Sequence, residues 1–148
     1  MKKLFVFLVC MLMNIVLNTE AMACTRVVYQ GPESTIITAR SMDWKDEIPA
    51  GMWIFPRGMQ RNGEVGPNSI KWKSRYGSLV ISSFENSTVD GMNEKGLAAN
   101  LLWLAESEYP PYDLKQKGVT IAAWAQYVLD NFATVKEAVR ELKKEKFM

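Results

Sequence analysis

Residues 24–43 read CTRVVYQGPESTIITARSMD, in which two β-branched runs flank a turn that contains glycine and proline. The runs 25–29 and 35–39 have the composition of strands, and residues 31–34 have the length of a hairpin loop. The stretch therefore predicts a two-stranded antiparallel hairpin.

This hairpin determines which side chains meet at its open end. A hairpin returns the end of its second strand to the start of its first. We therefore expect Arg40, Ser41 and Asp43 to lie close to Cys24, although 16 to 19 positions separate them along the chain.

Further strands are predicted downstream. Apolar runs separated by glycine, proline, asparagine and charged turn residues occupy residues 52–55, 70–72, 78–84 and 97–104. Several of these runs are apolar at consecutive positions, which is typical of strands buried on both faces. The polar stretch 60–68 is predicted to be a flexible loop.

From Thr120 the apolar residues recur at steps of three and four, which predicts a helix with one apolar face. The members of this face are Ile121, Trp124, Ala125, Val128, Leu129 and Phe132. Thr134 and Glu137 form a capping box that begins a second helix, and this helix ends in a lysine run. Strands followed by helices that cover a sheet indicate an α+β chain.

The composition excludes several classes of function. The chain has 148 residues, and its 18 basic and 16 acidic side chains leave a formal net charge of +2. Apart from the lysines that end the second helix, the sequence has no basic run or stripe, and this charge does not indicate nucleic acid or an anionic membrane as a partner. The chain contains no histidine. Ser-His and Cys-His nucleophile pairs, histidine zinc sites and an imidazole general base are therefore excluded.

The first 23 residues have the three parts of a secretory signal peptide. Two lysines precede the apolar run 4–17, and Ala21 and Ala23 provide the small residues before a cleavage site. A membrane anchor is the alternative, but this run of about 14 residues is shorter than the roughly 20 that a bilayer requires. We expect removal of residues 1–23, export to the periplasm or the medium, and no stable membrane association afterwards.

Cleavage makes Cys24 both the first residue and the sole remaining cysteine, because Cys10 leaves with the signal. An α-amino group has a pKa of about 7.7 to 8.0 and can act as a base toward the adjacent thiol. Cys24 is therefore a candidate nucleophile. Lipid acylation of a lipoprotein cysteine, cleavage a few residues away, and a buried or intermolecularly paired thiol are the alternatives. Ala21 stands where lipoprotein sites usually carry leucine, which weighs against acylation.

Arg40 and Asp43 are the charged candidates beside this thiol. The guanidinium of Arg40 would favour the thiolate by opposite charge, and the carboxylate of Asp43 could hold the α-amino group by a hydrogen bond. A local surface ion pair between the two side chains is the alternative interpretation.

Three stretches, in this order along the chain, carry a family resemblance: residues 24–26 (CTR), 39–44 (ARSMDW) and 90–97 (DGMNEKGL). The similarity continues through 124–132. Together they resemble the choloylglycine hydrolase family, the penicillin V acylases and conjugated bile salt hydrolases. The resemblance implies an N-terminal nucleophile hydrolase of linear amides with an αββα sandwich of two stacked sheets. It also implies that Cys24 is the catalytic nucleophile, that its own amine is the base, and that Arg40 and Asp43 are active-site residues.

Trp103 is the candidate substrate-binding residue. Counted from the NEKGL stretch at 93–97, it occupies the position of an asparagine in many bile salt hydrolases and of an aromatic residue in penicillin V acylases. The resemblance therefore favours an acylase, with the alternative that Trp103 is a buried strand residue. Its backbone N–H could serve an oxyanion hole whatever the side chain.

Members of the family are longer than this chain, and the asparagine that completes their oxyanion hole lies in the part it lacks. We expect residues 24–148 to be the N-terminal portion of the hydrolase domain, truncated at the C-terminus. Such a portion is expected to be poorly folded and inactive by itself, because exposed strand edges and apolar faces would lack their partners.

The expected reaction is attack of Cys24 on an amide carbonyl, formation of a thioester and its hydrolysis, without a metal or cofactor. The expected partner is a small-molecule amide with an apolar acyl group. Penicillin V, conjugated bile salts and acyl-homoserine lactones remain open as substrates, as does homo-oligomerisation of the full-length parent. The alternative function is that of an exported lipoprotein or non-catalytic binding module acylated at Cys24.

Overall fold

The computed structural model describes residues 24–104, 106–109 and 115–144. The signal peptide predicted over residues 1–23 lies outside them. The elements of the described part are β1 (Arg26–Gln30), β2 (Ile36–Arg40), β3 (Ala50–Phe55), β4 (Gln60–Asn62), β5 (Lys71–Lys73), β6 (Ser78–Ser83), β7 (Ser87–Asn93), β8 (Ala98–Asn100), α1 (Ile121–Asn131) and α2 (Val135–Leu142). The chain is therefore α+β, as predicted. In these residues neither helix has the length and apolar character needed to cross a membrane.

The strands form three antiparallel groups. A four-stranded sheet has the order β3-β6-β7-β8, while β1 pairs with β2 and β4 pairs with β5. The β1-β2 register runs from Arg26 opposite Arg40 to Gln30 opposite Ile36. A 3-10 turn at Pro32–Ser34 closes this hairpin. The hairpin predicted at the start of the chain therefore forms, with each strand shifted by one residue.

Helix α1 packs on one face of the four-stranded sheet, mainly against β7. Val80 of β6 and Leu129 of α1 are completely buried where the two layers meet. Gly91 of β7 lies opposite Val80. A Cβ at Gly91 would lie 2.8 Å from the Leu79 carbonyl oxygen and 2.9 Å from Cδ1 of Leu129. The close approach of helix and sheet therefore requires glycine at this position.

A buried polar network attaches the end of α1 to β4 and β5. The carboxylate of Asp130 is fully buried and accepts hydrogen bonds from the indole N–H of Trp72 at 2.7 Å and the side-chain amide of Gln126 at 2.8 Å. Nε of Arg61 lies 3.0 Å from the same carboxylate. Burial raises the pKa of Asp130, and the two hydrogen bonds and the charge of Arg61 oppose this rise.

Both helices begin at threonine caps. The hydroxyl of Thr120 accepts the backbone N–H of Ala123 at 3.3 Å, and that of Thr134 accepts the backbone N–H of Glu137 at 3.1 Å. The carboxylate of Glu137 accepts the backbone N–H of Ala133 at 2.8 Å. The predicted capping box therefore forms, but the carboxylate of Glu137 binds the N–H of the residue before the cap and not that of the cap itself.

Three details of the strand prediction are corrected. Residues 97–104 contribute only Ala98–Asn100 to a strand, and the stretch 60–68, predicted to be a loop, contains β4. Strand β7 was not predicted, because glycine and polar residues interrupt its apolar pattern. It forms because it pairs with β6 on one side and β8 on the other.

The sheet face opposite α1, here called the outer face, is exposed. It carries Met52, Ile54, Leu79 and Met92, which are 70%, 82%, 46% and 48% exposed. The prediction that these strands are buried on both faces is wrong for the described residues, because the helices cover only one face. Ile121, predicted to lie on the apolar face of α1, is also exposed.

Candidate active site

Cys24 lies two residues before the start of β1, at the open end of the β1-β2 hairpin. The register places Arg26 opposite Arg40, and Ser41 donates its backbone N–H to the Thr25 carbonyl at 2.9 Å. The segment that follows β2 therefore passes beside Cys24, as expected from the hairpin. The thiol is free and partly exposed.

Hydrogen bonds from three donors lower the pKa of the Cys24 thiol. The backbone N–H of Trp103 has the largest effect, and the backbone N–H of Asp43 and the guanidinium of Arg40 also hydrogen-bond to the sulfur. Together with the positive charge of Arg40 they hold the pKa of the thiol below its ordinary value, against the opposing effect of burial. The site therefore favours the thiolate, which is the nucleophilic form.

The guanidinium of Arg40 is oriented by two backbone carbonyls. Nε donates to the carbonyl of Ser41 at 3.2 Å, and Nη1 donates to the carbonyl of Val89 on β7 at 3.3 Å. These bonds connect the hairpin to the four-stranded sheet. Among the ion pairs of the described residues there is none between Arg40 and Asp43, so the surface-pair interpretation is wrong.

The carboxylate of Asp43 is fixed by the hydroxyl of Ser41. This hydroxyl donates to Oδ2 of Asp43 at 2.8 Å and accepts the backbone N–H of Thr25 at 3.1 Å. The sequence assigns a role only to the carboxylate of Asp43, and the structure adds the contact of its backbone N–H with the sulfur. The bridging hydroxyl has no sequence signal of its own, since a serine after a strand is common.

Trp103 lies in the segment after β8, and its ring packs edge-on against Trp44. The ring centroids are 5.3 Å apart with an interplanar angle of 80°. The two side chains remain 56% and 39% exposed. The alternative that Trp103 is a buried strand residue is therefore wrong, and the pair offers accessible aromatic surface near the thiol.

A cavity of about 440 Å³ opens beside Arg40. Its walls combine apolar side chains with carboxylates: Met42, Trp44, Ile48, Ala50 and Ile81, with Asp46, Glu47 and Asp90. A second cavity of about 430 Å³ lies between α1 and the sheet and is lined by none of the four predicted site residues. The first cavity therefore adjoins the candidate site, through Arg40.

The arrangement is suited to nucleophilic acyl transfer. It combines a thiol of lowered pKa, backbone N–H donors and an adjoining cavity whose walls are partly apolar and partly charged. Within the described residues, no group of three or more cysteine or carboxylate side chains could hold a metal ion. The contact of Val89 with Arg40 could not be predicted from the sequence, because Val89 contributes only a backbone carbonyl.

Comparison with known proteins identifies hydrolases of linear amides as relatives of this chain. The model of the linear amide C-N hydrolases, choloylglycine hydrolase family, matches residues 24–148. The penicillin V acylase of Pectobacterium atrosepticum is 54% identical over 140 residues, which cover 88% of this chain and 37% of the acylase. The structure of penicillin V acylase from Agrobacterium tumefaciens matches with a TM-score of 0.81 and 63% identity, over 83% of this chain and 39% of that one.

A mutant conjugated bile acid hydrolase from Clostridium perfringens shares the fold, with a TM-score of 0.68 and 24% identity over 82% of this chain and 38% of that one. These structures place the described strands and helices within the N-terminal nucleophile hydrolase fold, to which they contribute one helix-covered sheet and the hairpin. The chain spans less than two fifths of the length of each of these relatives. By the match of its family model over residues 24–148, the chain belongs to the choloylglycine hydrolase family of linear amide C–N hydrolases.

Proposed function

We propose that the protein that carries this chain hydrolyses linear amides with Cys24, as the first residue of the mature protein, acting as the nucleophile. The observation that carries the proposal is the set of donors around the Cys24 sulfur, namely the backbone N–H groups of Trp103 and Asp43 and the guanidinium of Arg40. Such donors stabilise the attacking thiolate. Membership of a family of amide hydrolases supports the reaction type.

The first half of the proposed reaction forms a thioester. The neutral α-amine of Cys24 accepts the thiol proton, and the sulfur attacks the carbonyl carbon of the amide. The backbone N–H of Trp103 can turn from the sulfur to the carbonyl oxygen, which becomes an oxyanion. Collapse of this intermediate breaks the C–N bond. The α-ammonium returns its proton to the leaving nitrogen, and the acyl group remains on the sulfur.

The second half consumes one water molecule. The α-amine accepts a proton from water as the water oxygen attacks the thioester carbonyl. The C–S bond breaks, the carboxylic acid leaves, and the proton returns to the sulfur. The same amine therefore serves as base in both halves, and acid and amine are released in equal amounts.

Arg40 and Asp43 have separate proposed roles around this nucleophile. The guanidinium of Arg40 balances the negative charge of the thiolate. The carboxylate of Asp43 holds the α-ammonium group of Cys24 through Oδ1, since the hydroxyl of Ser41 occupies Oδ2.

We propose an aromatic acyl group for the substrate, as in penicillin V. The exposed edge-on pair of Trp44 and Trp103 lies beside the cavity next to Arg40, and aromatic groups pack well against such rings. Two relatives that are 54% and 63% identical to this chain over the aligned residues are described as penicillin V acylases. Conjugated bile salts and acyl-homoserine lactones are the alternatives.

Export is part of the proposal, because the α-amine of Cys24 exists only after residues 1–23 have been removed. The lysines, apolar run and small residues of that segment support cleavage by signal peptidase. The proposed location is therefore the periplasm or the medium.

The test measures hydrolysis of penicillin V, a glycine-conjugated bile salt and an acyl-homoserine lactone by the protein that carries this chain. We expect penicillin V to be the best substrate, and Cys24→Ala to lower kcat by about 10³-fold or more with an unchanged circular dichroism spectrum. Cys24→Ser tests whether the weaker hydroxyl nucleophile keeps a small residual rate. Full activity of Cys24→Ala would refute the proposal, and a diacylglycerol mass on Cys24 would indicate the lipoprotein function instead.

A further inference from the structure

We propose that Ser41 is a positioning residue of the active site, whose hydroxyl fixes Cys24 and Asp43 relative to each other and thereby sets the reactivity of the thiol. The inference rests on the proposed function, because it assigns a further residue to the same site.

The hydroxyl of Ser41 joins the two segments that build the site. It accepts the backbone N–H of Thr25 at 3.1 Å and donates to Oδ2 of Asp43 at 2.8 Å. Thr25 follows Cys24 directly, so the first bond holds the backbone that carries the nucleophile. The second bond is to a carboxylate, and hydrogen bonds to ionised groups are the stronger kind. One hydroxyl therefore couples the nucleophile segment to Asp43.

The backbone of Ser41 makes further bonds that do not need the hydroxyl. Its N–H donates to the Thr25 carbonyl at 2.9 Å, and its carbonyl accepts Nε of Arg40 at 3.2 Å. Both bonds persist when Ser41 is replaced by alanine. Removal of the hydroxyl therefore leaves the hairpin intact and isolates the link between Thr25 and Asp43.

Loss of this link acts on the thiol through geometry. Without the hydroxyl, the Asp43 carboxylate is free to rotate, and the Thr25 N–H loses its acceptor. The backbone N–H of Asp43, which hydrogen-bonds to the Cys24 sulfur, then loses its fixed position. Ser41 is exposed, so its side chain contributes little packing. Thiol reactivity should therefore decrease while the folded structure keeps its stability.

The experiment measures alkylation of Cys24 by iodoacetamide as a function of pH, with kcat and KM for penicillin V, in the protein that carries this chain. For Ser41→Ala we expect the alkylation curve to move to higher pH and kcat to fall about tenfold with KM nearly unchanged. Ser41→Thr keeps a hydroxyl and should stay close to the wild type. Thr38→Val is the control. It removes another hydroxyl from the same hairpin, one that accepts a hydrogen bond from Nε of Arg26 at 3.2 Å.

A second pair of variants repeats the test at constant shape. Threonine and valine have the same shape and differ by the hydroxyl, so Ser41→Val should show the displaced alkylation curve and Ser41→Thr should not. This comparison decides the question even if Ser41→Ala folds poorly. A Ser41→Val curve that coincides with that of Ser41→Thr would overturn the proposal.

The test separates the inference from the proposed function. Alkylation needs no substrate, so a protein that hydrolyses none of the three amides would refute the function while the alkylation curves still decide the role of Ser41. A double-mutant cycle with Asp43→Asn shows whether Ser41 acts through Asp43. A smaller effect of Ser41→Ala in the Asp43→Asn background supports the proposal, and full additivity contradicts it.

Discussion

The two faces of the four-stranded sheet differ in what they bury. On the α1 side, Val80 and Leu129 are 0% exposed, and the buried carboxylate of Asp130 is paired with several donors. On the outer face, Met52 and Ile54 remain 70% and 82% exposed. The difference teaches that this chain builds its buried core on one face of the sheet, where α1 packs, and leaves the other face open to contact.

The candidate site lies on the open side. Ile81 and Asp90, which point to the outer face, line the cavity beside Arg40. The hairpin that carries Cys24 is likewise exposed along most of both strands. The site is therefore held by hydrogen bonds more than by burial. Substitutions on the α1 side should change stability, whereas substitutions around the hairpin should change reactivity.

The largest expected effect is that of Asp130→Ala on the α1 side. It leaves the Trp72 indole, the Gln126 amide and the Arg61 guanidinium without their buried acceptor, and we expect a loss of about 3 to 5 kcal/mol in the free energy of unfolding. Asp46→Ala is the control, since its ion pair with Lys45 at 3.9 Å is exposed and should contribute less than about 1 kcal/mol. Urea unfolding measures both, and equal losses would contradict the contrast.

Neighbouring residues of β7 give the next largest effect. Gly91 faces α1, where a Cβ would lie 2.8 Å from Cγ1 of Val80, so Gly91→Ala should cost about 1 to 3 kcal/mol by overpacking. Met92 points to the outer face, and Met92→Ala should cost less than about 1 kcal/mol, although it changes more atoms than Gly91→Ala does. A larger loss for Met92→Ala in thermal unfolding would show that the outer face is covered.

The third effect is a change of reactivity with pH at the hairpin. The backbone N–H of Trp103 lowers the pKa of Cys24, so its removal in Trp103→Pro should raise that pKa. A raised pKa means less thiolate at about pH 7 and an alkylation curve displaced to higher pH. Trp103→Ala keeps the N–H and should keep the curve while weakening binding of an aromatic acyl group. Equal displacement in both variants would show that the ring, and not the backbone, is responsible.

The smallest effect is expected on the outer face itself. Met52 is 70% exposed, so Met52→Ser should change the free energy of unfolding by less than about 0.5 kcal/mol. Val80→Thr keeps the side-chain volume on the buried face of the adjacent strand β6, and should cost about 1 to 3 kcal/mol because it buries a hydroxyl. Equal effects in urea unfolding would remove the distinction between the faces.

Local patterns made much of the fold predictable. The β1-β2 hairpin follows from two β-branched runs and a short turn, and α2 follows from the capping residues Thr134 and Glu137. Strands β4 and β7 were missed, because polar residues or glycine interrupt their patterns and pairing with the neighbouring strands stabilises them. Burial on one face could not be predicted, since it depends on where α1 packs.

The candidate site, too, has contacts that could be predicted from the sequence and contacts that could not. The proximity of Arg40 and Asp43 to Cys24 follows from hairpin geometry alone. The contact of Trp103 with the sulfur spans 79 positions, and only the family resemblance singled this residue out. The bridging hydroxyl of Ser41 was missed because its meaning depends on interatomic distances that a sequence does not contain.

The most direct test of the central role of Cys24 is peptide mapping of the mature protein after native alkylation with iodoacetamide at about pH 7. We predict an N-terminal peptide that begins at Cys24 and carries a free α-amine and a modified sulfur. We also predict that this modification abolishes amide hydrolysis. A peptide that begins elsewhere, a blocked amine, or full activity after alkylation of Cys24 would contradict the account.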